Sequence, residues 1–188
     1  MGKESSYIVN DMHKVIDHGN YVSRLAYLIG KEMRLEEKIC YELAIAGVVH
    51  DIGKLRLNRY LYDKQNDLTK EDIRYIRMHS KLSYDILKDK GYSKFILDAV
   101  LYHHENYDGS GYPENLRGEE IPLGARILRV SDVFSALISD RPYRKGFNQD
   151  MAIKMMIDEA KNYDLRVFMA FQMIINNIES NGEKRLNA

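Results

Sequence analysis

Four of the six histidines, and several carboxylates, occupy places where solvated side chains are not expected. His50 and Asp51 end an apolar run and are followed at once by Ile52-Gly53-Lys54. His103 and His104 end a second run, just before Glu105, and His79 interrupts a third. Asp132 follows Ile127-Leu128-Arg129-Val130. Imidazoles and carboxylates inside apolar helices are costly to bury unless each is paired or ligated. Successive helical positions diverge by about 100°, so His50 and Asp51 can reach two neighbouring cations, the carboxylate bridging and the imidazole binding terminally. Mixed imidazole and carboxylate donors suit iron, manganese, zinc or nickel, and not a site made for magnesium alone. Converging helices are a common place for such di-metal centres. The bland alternative is a buried polar network without metal.

Helices must position these groups. The first 112 residues contain no proline, which permits long helices, and hairpin signals are scarce. Val15, Val22, Leu25, Ala26 and Ile29 recur at helical spacing. A second helix fits Glu36 to Val49, with Gly53 as its C-terminal stop. Thr69 and Asp72 form a capping-box-like start to a helix carrying Ile73, Ile76 and His79. Ser93 opens another, ending at His103-His104. Helical patterning resumes over Leu123 to Ile138, Gln149 to Glu159 and Leu165 to Ile178. Asn106 to Pro122, rich in glycine and proline, is an ordered loop of the length that often carries function. The predicted architecture is all-α, one domain over residues 1–188, about seven helices around one core, with 180–188 as a frayed tail.

Composition narrows the function further. The chain has 188 residues, with 28 Lys plus Arg against 28 Asp plus Glu. No global charge draws it to DNA, RNA or an anionic membrane, although a local basic patch for a phosphate ligand is compatible. Cys40 is the sole cysteine, so no intrachain disulfide forms; it reads as a small buried side chain in a reducing compartment. No apolar stretch approaches the ~20 residues of a membrane span, and the start lacks a signal peptide's apolar segment. A cytoplasmic location is expected. Met151, Met155 and Met156 are expected to fill the core.

His50-Asp51-Ile52-Gly53-Lys54, the run from His103 to Pro113, Ala125-Arg126-Ile127-Leu128, Ser131-Asp132-Val133-Phe134 and Asp140-Arg141-Pro142-Tyr143-Arg144 together resemble the HD-GYP domain, a branch of the HD metal-dependent phosphohydrolases. The resemblance extends from about Asp17 to Phe171. It implies an all-α phosphodiesterase that uses two or three divalent metals, iron or manganese foremost, to hydrolyse cyclic di-GMP to pGpG or GMP. Alternatives are another cyclic nucleotide substrate, or a degenerate domain that binds without turnover. By the resemblance, His50, Asp51, His79, His103, His104 and Asp132 match metal ligands. Lys54 matches a lysine near the scissile phosphate, and Tyr112, Arg141 and Arg144 match positions facing the dinucleotide. Glu105 and Asp108 either orient ligands or hold the loop. Sensor, receiver or diguanylate cyclase proteins are the partners it implies.

The first helix departs from the family pattern. Relatives carry a histidine ligand in a His-x-x-Arg arrangement, where this chain has Tyr21-Val22-Ser23-Arg24. In some, a glutamate four residues earlier serves a third metal; here that place is Asp17. Three outcomes are open: Tyr21 keeps the ligand position, His18 substitutes from one turn earlier, or one metal is held more weakly. Ser135 stands where relatives often have aspartate, and Leu165 replaces a frequent proline. His13 has no assignable role.

Overall fold

The computed structural model describes the backbone of residues 2–57, 69–140 and 144–180, and the side chains of 16–57, 69–140 and 144–178. Among the described residues there are eight α-helices and no strand. They are α1 (Gly2–Glu32), α2 (Glu37–Val49), α3 (Lys70–Arg77), α4 (His79–Leu87), α5 (Lys94–Tyr102), α6 (Leu123–Ile138), α7 (Gln149–Asp158) and α8 (Leu165–Ser180). A short 3-10 segment, Ile52–Arg56, follows α2. No helix among the described residues is long and apolar enough to cross a membrane.

The apolar periodicity of α1 decides the packing. Val22, Leu25, Ala26 and Ile29 are fully buried, and α1 lies against α2, α6 and α8. The all-apolar face of α6, with Ile127, Leu128, Val130 and Phe134 fully buried, forms the middle of the core. Phe134 meets Phe171 of α8 edge-on, with ring centroids 4.8 Å apart. Arg126 of α6 and Asp164, just ahead of α8, form an ion pair at 2.5 Å in which both side chains are almost entirely buried. Asp164 Oδ1 also accepts the Arg166 N–H at 2.9 Å, so one carboxylate caps α8 and ties it to α6.

Several sequence expectations meet the structure directly. Thr69 and Asp72 form the reciprocal capping box, and Ser93 Oγ accepts the Ile96 N–H at 3.3 Å. Cys40 is buried, and burial raises its thiol pKa. Three details differ. The helix expected to carry His79 breaks at Met78, whose N–H bonds back to Tyr75 O in a tightened turn, so His79 begins α4 instead of continuing α3. Gly53 is no helix cap. It is a close-approach residue, because a Cβ there would lie 2.2 Å from His79 O and 2.6 Å from Ser83 N. Of the three methionines, Met156 alone is buried; Met151 and Met155 are exposed because they lie on the outer side of α7.

Candidate metal centre

Three histidines are aimed by their own helices. His50 Nδ1 is 2.8 Å from Gly47 O, His79 Nδ1 is 2.8 Å from Ile76 O, and His103 Nδ1 is 2.6 Å from Val100 O. A carbonyl only accepts, so each Nδ1 carries the proton and each Nε2 keeps its lone pair. Those Nε2 atoms converge. His79 Nε2 lies 3.4 Å from His103 Nε2 and 2.9 Å from His104 Nε2.

Asp51 stands between two histidine groups. Its Oδ2 is 3.3 Å from His50 Nε2 and 3.8 Å from His18 Nε2, whereas Oδ1 is 3.3 Å from His79 Nε2. The close seat of the 3-10 segment on α4 makes this possible: Gly53 admits the α4 backbone, and its N–H donates to Ser83 Oγ at 2.8 Å. Ligand atoms of His79, His103 and His104 lie within 4.8 Å of one another, as do those of His18, His50 and Asp132 and those of His50, Asp51 and His103. Among the described residues, His50 Nε2 and Asp51 Oδ1 are buried and have no hydrogen-bond partner. Orphaned buried acceptors are expensive, and a cation at each cluster would satisfy them. The residues present therefore fit divalent metals.

For His79, His103 and His104 the electrostatics agree with that fit, whereas the neighbouring Asp51 carboxylate outweighs burial and raises His50. Burial pushes the His103 imidazole down to about 3, aided by His50 and His79. It also lowers His79, and lowers His104 well below the usual histidine range. Metal binding needs neutral imidazoles. Burial alone would raise the Asp51 and Asp132 carboxyls; Lys54 and His50 around the first, and His18 beside the second, hold both well below the usual carboxylate range. Lys54 Nζ donates to Asp51 Oδ2 from the rim of the centre.

The first helix brings His18 to this centre, with Nε2 3.0 Å from Asp132 Oδ1 and Nδ1 2.9 Å from Ser135 Oγ. Tyr21, one turn further on, is a core residue. It packs into the core beside Phe134, with ring centroids 6.4 Å apart, and burial raises its phenol pKa. Asp17 is exposed and also outside the clusters.

The glycine-rich loop closes over the second histidine group. A Cβ on Gly111 would strike Asn106 N at 2.2 Å, so glycine lets the loop fold back on itself. Tyr112 then stacks on His104, with centroids 4.8 Å apart and planes at 22°, and its N–H donates to His104 O. Glu105 is buried and accepts the Glu114 N–H at 2.7 Å; Asp108 accepts from Ser110 N at 3.0 Å. Both hold the loop.

Two cations missed in the sequence border this region. The Arg77 guanidinium sits 5.0 Å from the centroid of the Tyr112 ring. Arg129 acts electrostatically on His104, Tyr112 and Tyr163, and its Nε is buried without a hydrogen-bond partner among the described residues. Spacing held the clue: Arg77 lies two residues before His79, and Arg129 lies one turn before Asp132. Arg144 is engaged elsewhere. Its guanidinium donates to Leu137 O, Ala136 O and Lys145 O, each at 3.0 Å, and stacks over Phe147. Arg141 lies outside the described residues.

An all-α domain with histidines and aspartates converging from α1, α2, α4, α5 and α6 is the architecture of a helical metal-dependent hydrolase. The chain belongs to the HD domain family, which matches residues 4–167. It is 36% identical over 155 residues to a cyclic di-GMP phosphodiesterase of Pseudomonas aeruginosa, covering 82% of this chain and 37% of that protein. It is 30% identical over 178 residues to 3'3'-cGAMP-specific phosphodiesterase 3 of Vibrio cholerae, covering 90% of this chain and 39% of that protein. The chain thus spans about two-fifths of the length of these curated relatives. Among solved structures, Bd1817 of Bdellovibrio bacteriovorus, described as an HDG"Y"P protein, superposes with a TM-score of 0.70 at 22% identity, over 86% of this chain and 52% of that one. That likeness supports the fold.

Proposed function

We propose that this chain is a metal-dependent phosphodiesterase that hydrolyses cyclic di-GMP to pGpG or GMP. The carrying observation is Asp51, whose two oxygens point to separate histidine groups at 3.3 Å each. That arrangement suits two divalent transition metals, iron or manganese foremost, with nickel or zinc as alternatives. One would take His18, His50 and Asp132, the other His79, His103 and His104, with Asp51 shared. Bound there, such metals supply Lewis acidity toward a phosphoryl oxygen and lower the pKa of water.

The protein's own groups do the rest. Buried acceptors hold the site rigid through the backbone bonds of His50, His79 and His103. Lys54, on the rim, is placed to offset charge developing on the phosphate. Arg77 and Arg129 supply the local positive field that an anionic dinucleotide needs, on a chain with no net charge. Tyr112 fixes the wall beside His104. Arg141, in the same motif as Arg144, keeps its proposed role toward the dinucleotide. A cytoplasmic location, with sensor, receiver or diguanylate cyclase proteins as partners, fits this reading.

A second reading is hydrolysis of 3'3'-cGAMP, favoured by the relative that matches 90% of this chain. Product analysis after incubation with either dinucleotide, at protein loaded with manganese or iron, decides between them. Tight dinucleotide binding without turnover at micromolar protein would sink the enzyme reading and leave a binding domain.

A further inference from the structure

We infer that Arg129 forms a second anion site beside the metal centre, and that this site holds the phosphate of a cyclic dinucleotide that is not being cut. This assignment rests on the phosphodiesterase reading above.

Arg126, Arg129 and Asp132 follow one another at one-turn intervals along α6. The two outer members are paired, Arg126 with Asp164 and Asp132 with His18. Arg129, between them, forms no ion pair among the described residues, and its Nε is buried without a hydrogen-bond partner there. The side chain is half-buried, so water reaches only part of it. An arginine cannot shed its charge, and a guanidinium held out of water without a partner costs free energy. An anion bound here removes that cost.

The neighbours fit a phosphate. Arg129 acts on Tyr112 and Tyr163, and burial raises both phenols, Tyr163 to about 12, so each keeps its proton and is a donor at neutral pH. The exposed Arg77 adds a second guanidinium, 5.0 Å from the centroid of the Tyr112 ring. The carboxylates that act on Tyr163 are engaged, Asp132 with His18 and Glu159 with the Asn162 amide at 3.2 Å. Cations and hydroxyl donors together suit phosphate oxygens, which only accept.

Lys54 serves another part of the centre. It donates to Asp51 and acts on His50 and His79, whereas Arg129 acts on His104. A substrate with one phosphate needs only the metals and Lys54. A cyclic dinucleotide has two phosphates, and the second needs a cation set apart from the first.

The test compares two substrates of the whole, manganese-loaded chain: bis(para-nitrophenyl) phosphate, with one phosphodiester, and cyclic di-GMP, with two. The readout is kcat/KM for cyclic di-GMP divided by kcat/KM for bis(para-nitrophenyl) phosphate, with circular dichroism to check folding. Arg129→Ala should lower this ratio about 10-fold, the equivalent of about 1.4 kcal/mol, through KM for cyclic di-GMP. Arg129→Lys should recover part of it, because an ammonium still binds phosphate as a point charge. An unchanged ratio in Arg129→Ala would overturn the inference and leave the phosphodiesterase reading standing. So would an Arg129→Lys variant no better than Arg129→Ala, the outcome expected if the guanidinium fork reads a base edge. Wild-type protein that leaves cyclic di-GMP intact would overturn the reading and the inference with it.

Discussion

The Nε2 atoms of His79 and His104 face each other at 2.9 Å, and the Nδ1 of His79 is already committed to Ile76 O. His79 therefore meets His104 with a lone pair, in a region where burial disfavours a positive imidazole on either ring. Such a contact invites a cation. With metal at a hundredfold excess over its dissociation constant, binding adds about 2.7 kcal/mol to stability. For a domain of this size that is a Tm shift of roughly 5–10 °C. Thermal unfolding of metal-loaded and chelator-treated protein measures it. Coincident melting curves would mean that the histidines form a polar network and no metal site.

Asp51 and Lys54 touch each other but are expected to fail differently when replaced. Asp51 faces both histidine groups, so Asp51→Asn should lower metal content and cut turnover by at least about 100-fold, the upper end for loss of even an outer-shell partner. Lys54 is on the rim. Lys54→Gln should leave metal content near wild type and reduce kcat by about 100- to 1000-fold, as for loss of one group that stabilises transition-state charge. Parallel metal analysis and steady-state kinetics separate the two. A Lys54 variant stripped of metal would place the lysine in the binding of the ions instead.

Much of this centre is legible in the sequence alone. His50-Asp51, His79, His103-His104 and Asp132 are polar groups at the ends or interruptions of apolar helical runs, and such groups must find partners. What the sequence could not decide was rotation about α1. Asp17, His18 and Tyr21 are all near one another on a helical wheel, and only packing against Phe134 shows that Tyr21 turns to the core, His18 to Asp132 and Asp17 to solvent. Gly53 misled for a related reason: a glycine after a helix signals a cap, but here the demand comes from α4, 30 residues away along the chain at Ser83. The break at Met78 has no proline or glycine to announce it.

Asp164 offers a stability test remote from the histidines. Burial raises its carboxyl pKa, but hydrogen bonds from Arg166 and Arg126 outweigh this and hold it below the usual range. A carboxyl whose folded value is depressed contributes stability above its unfolded value, and that contribution fades as pH falls through the folded value. Asp164→Asn leaves Arg126 buried and unpaired, which costs about 3 kcal/mol at neutral pH, the lower end for breaking a buried pair. The difference in stability between wild type and variant should therefore be largest near neutrality and shrink below about pH 4. Denaturant melts across that range measure it; a gap that widens on acidification would mean the pair does not act as an ion pair.

Arg129 and Arg144 make the sharpest contrast, because the sequence pointed to one and the structure to the other. Arg144 spends its guanidinium on three carbonyls around the C-terminal end of α6 and on the Phe147 ring. Replacing it should cost stability, about 2 kcal/mol for the loss of charged hydrogen bonds, with little change in KM once the protein is folded. Among the described residues Arg129 has no such backbone contacts, and its Nε is unpartnered beside the residues that wall the second histidine group. Arg129→Ala should leave stability within about 1 kcal/mol of wild type and raise KM for a cyclic dinucleotide about 10-fold, the equivalent of one charge-assisted contact of about 1.4 kcal/mol. The two variants thus exchange signatures between melting curve and kinetics. If Arg144→Ala raised KM and left Tm unchanged, its guanidinium would have to leave α6 to meet substrate, and the cap seen here would be its resting place.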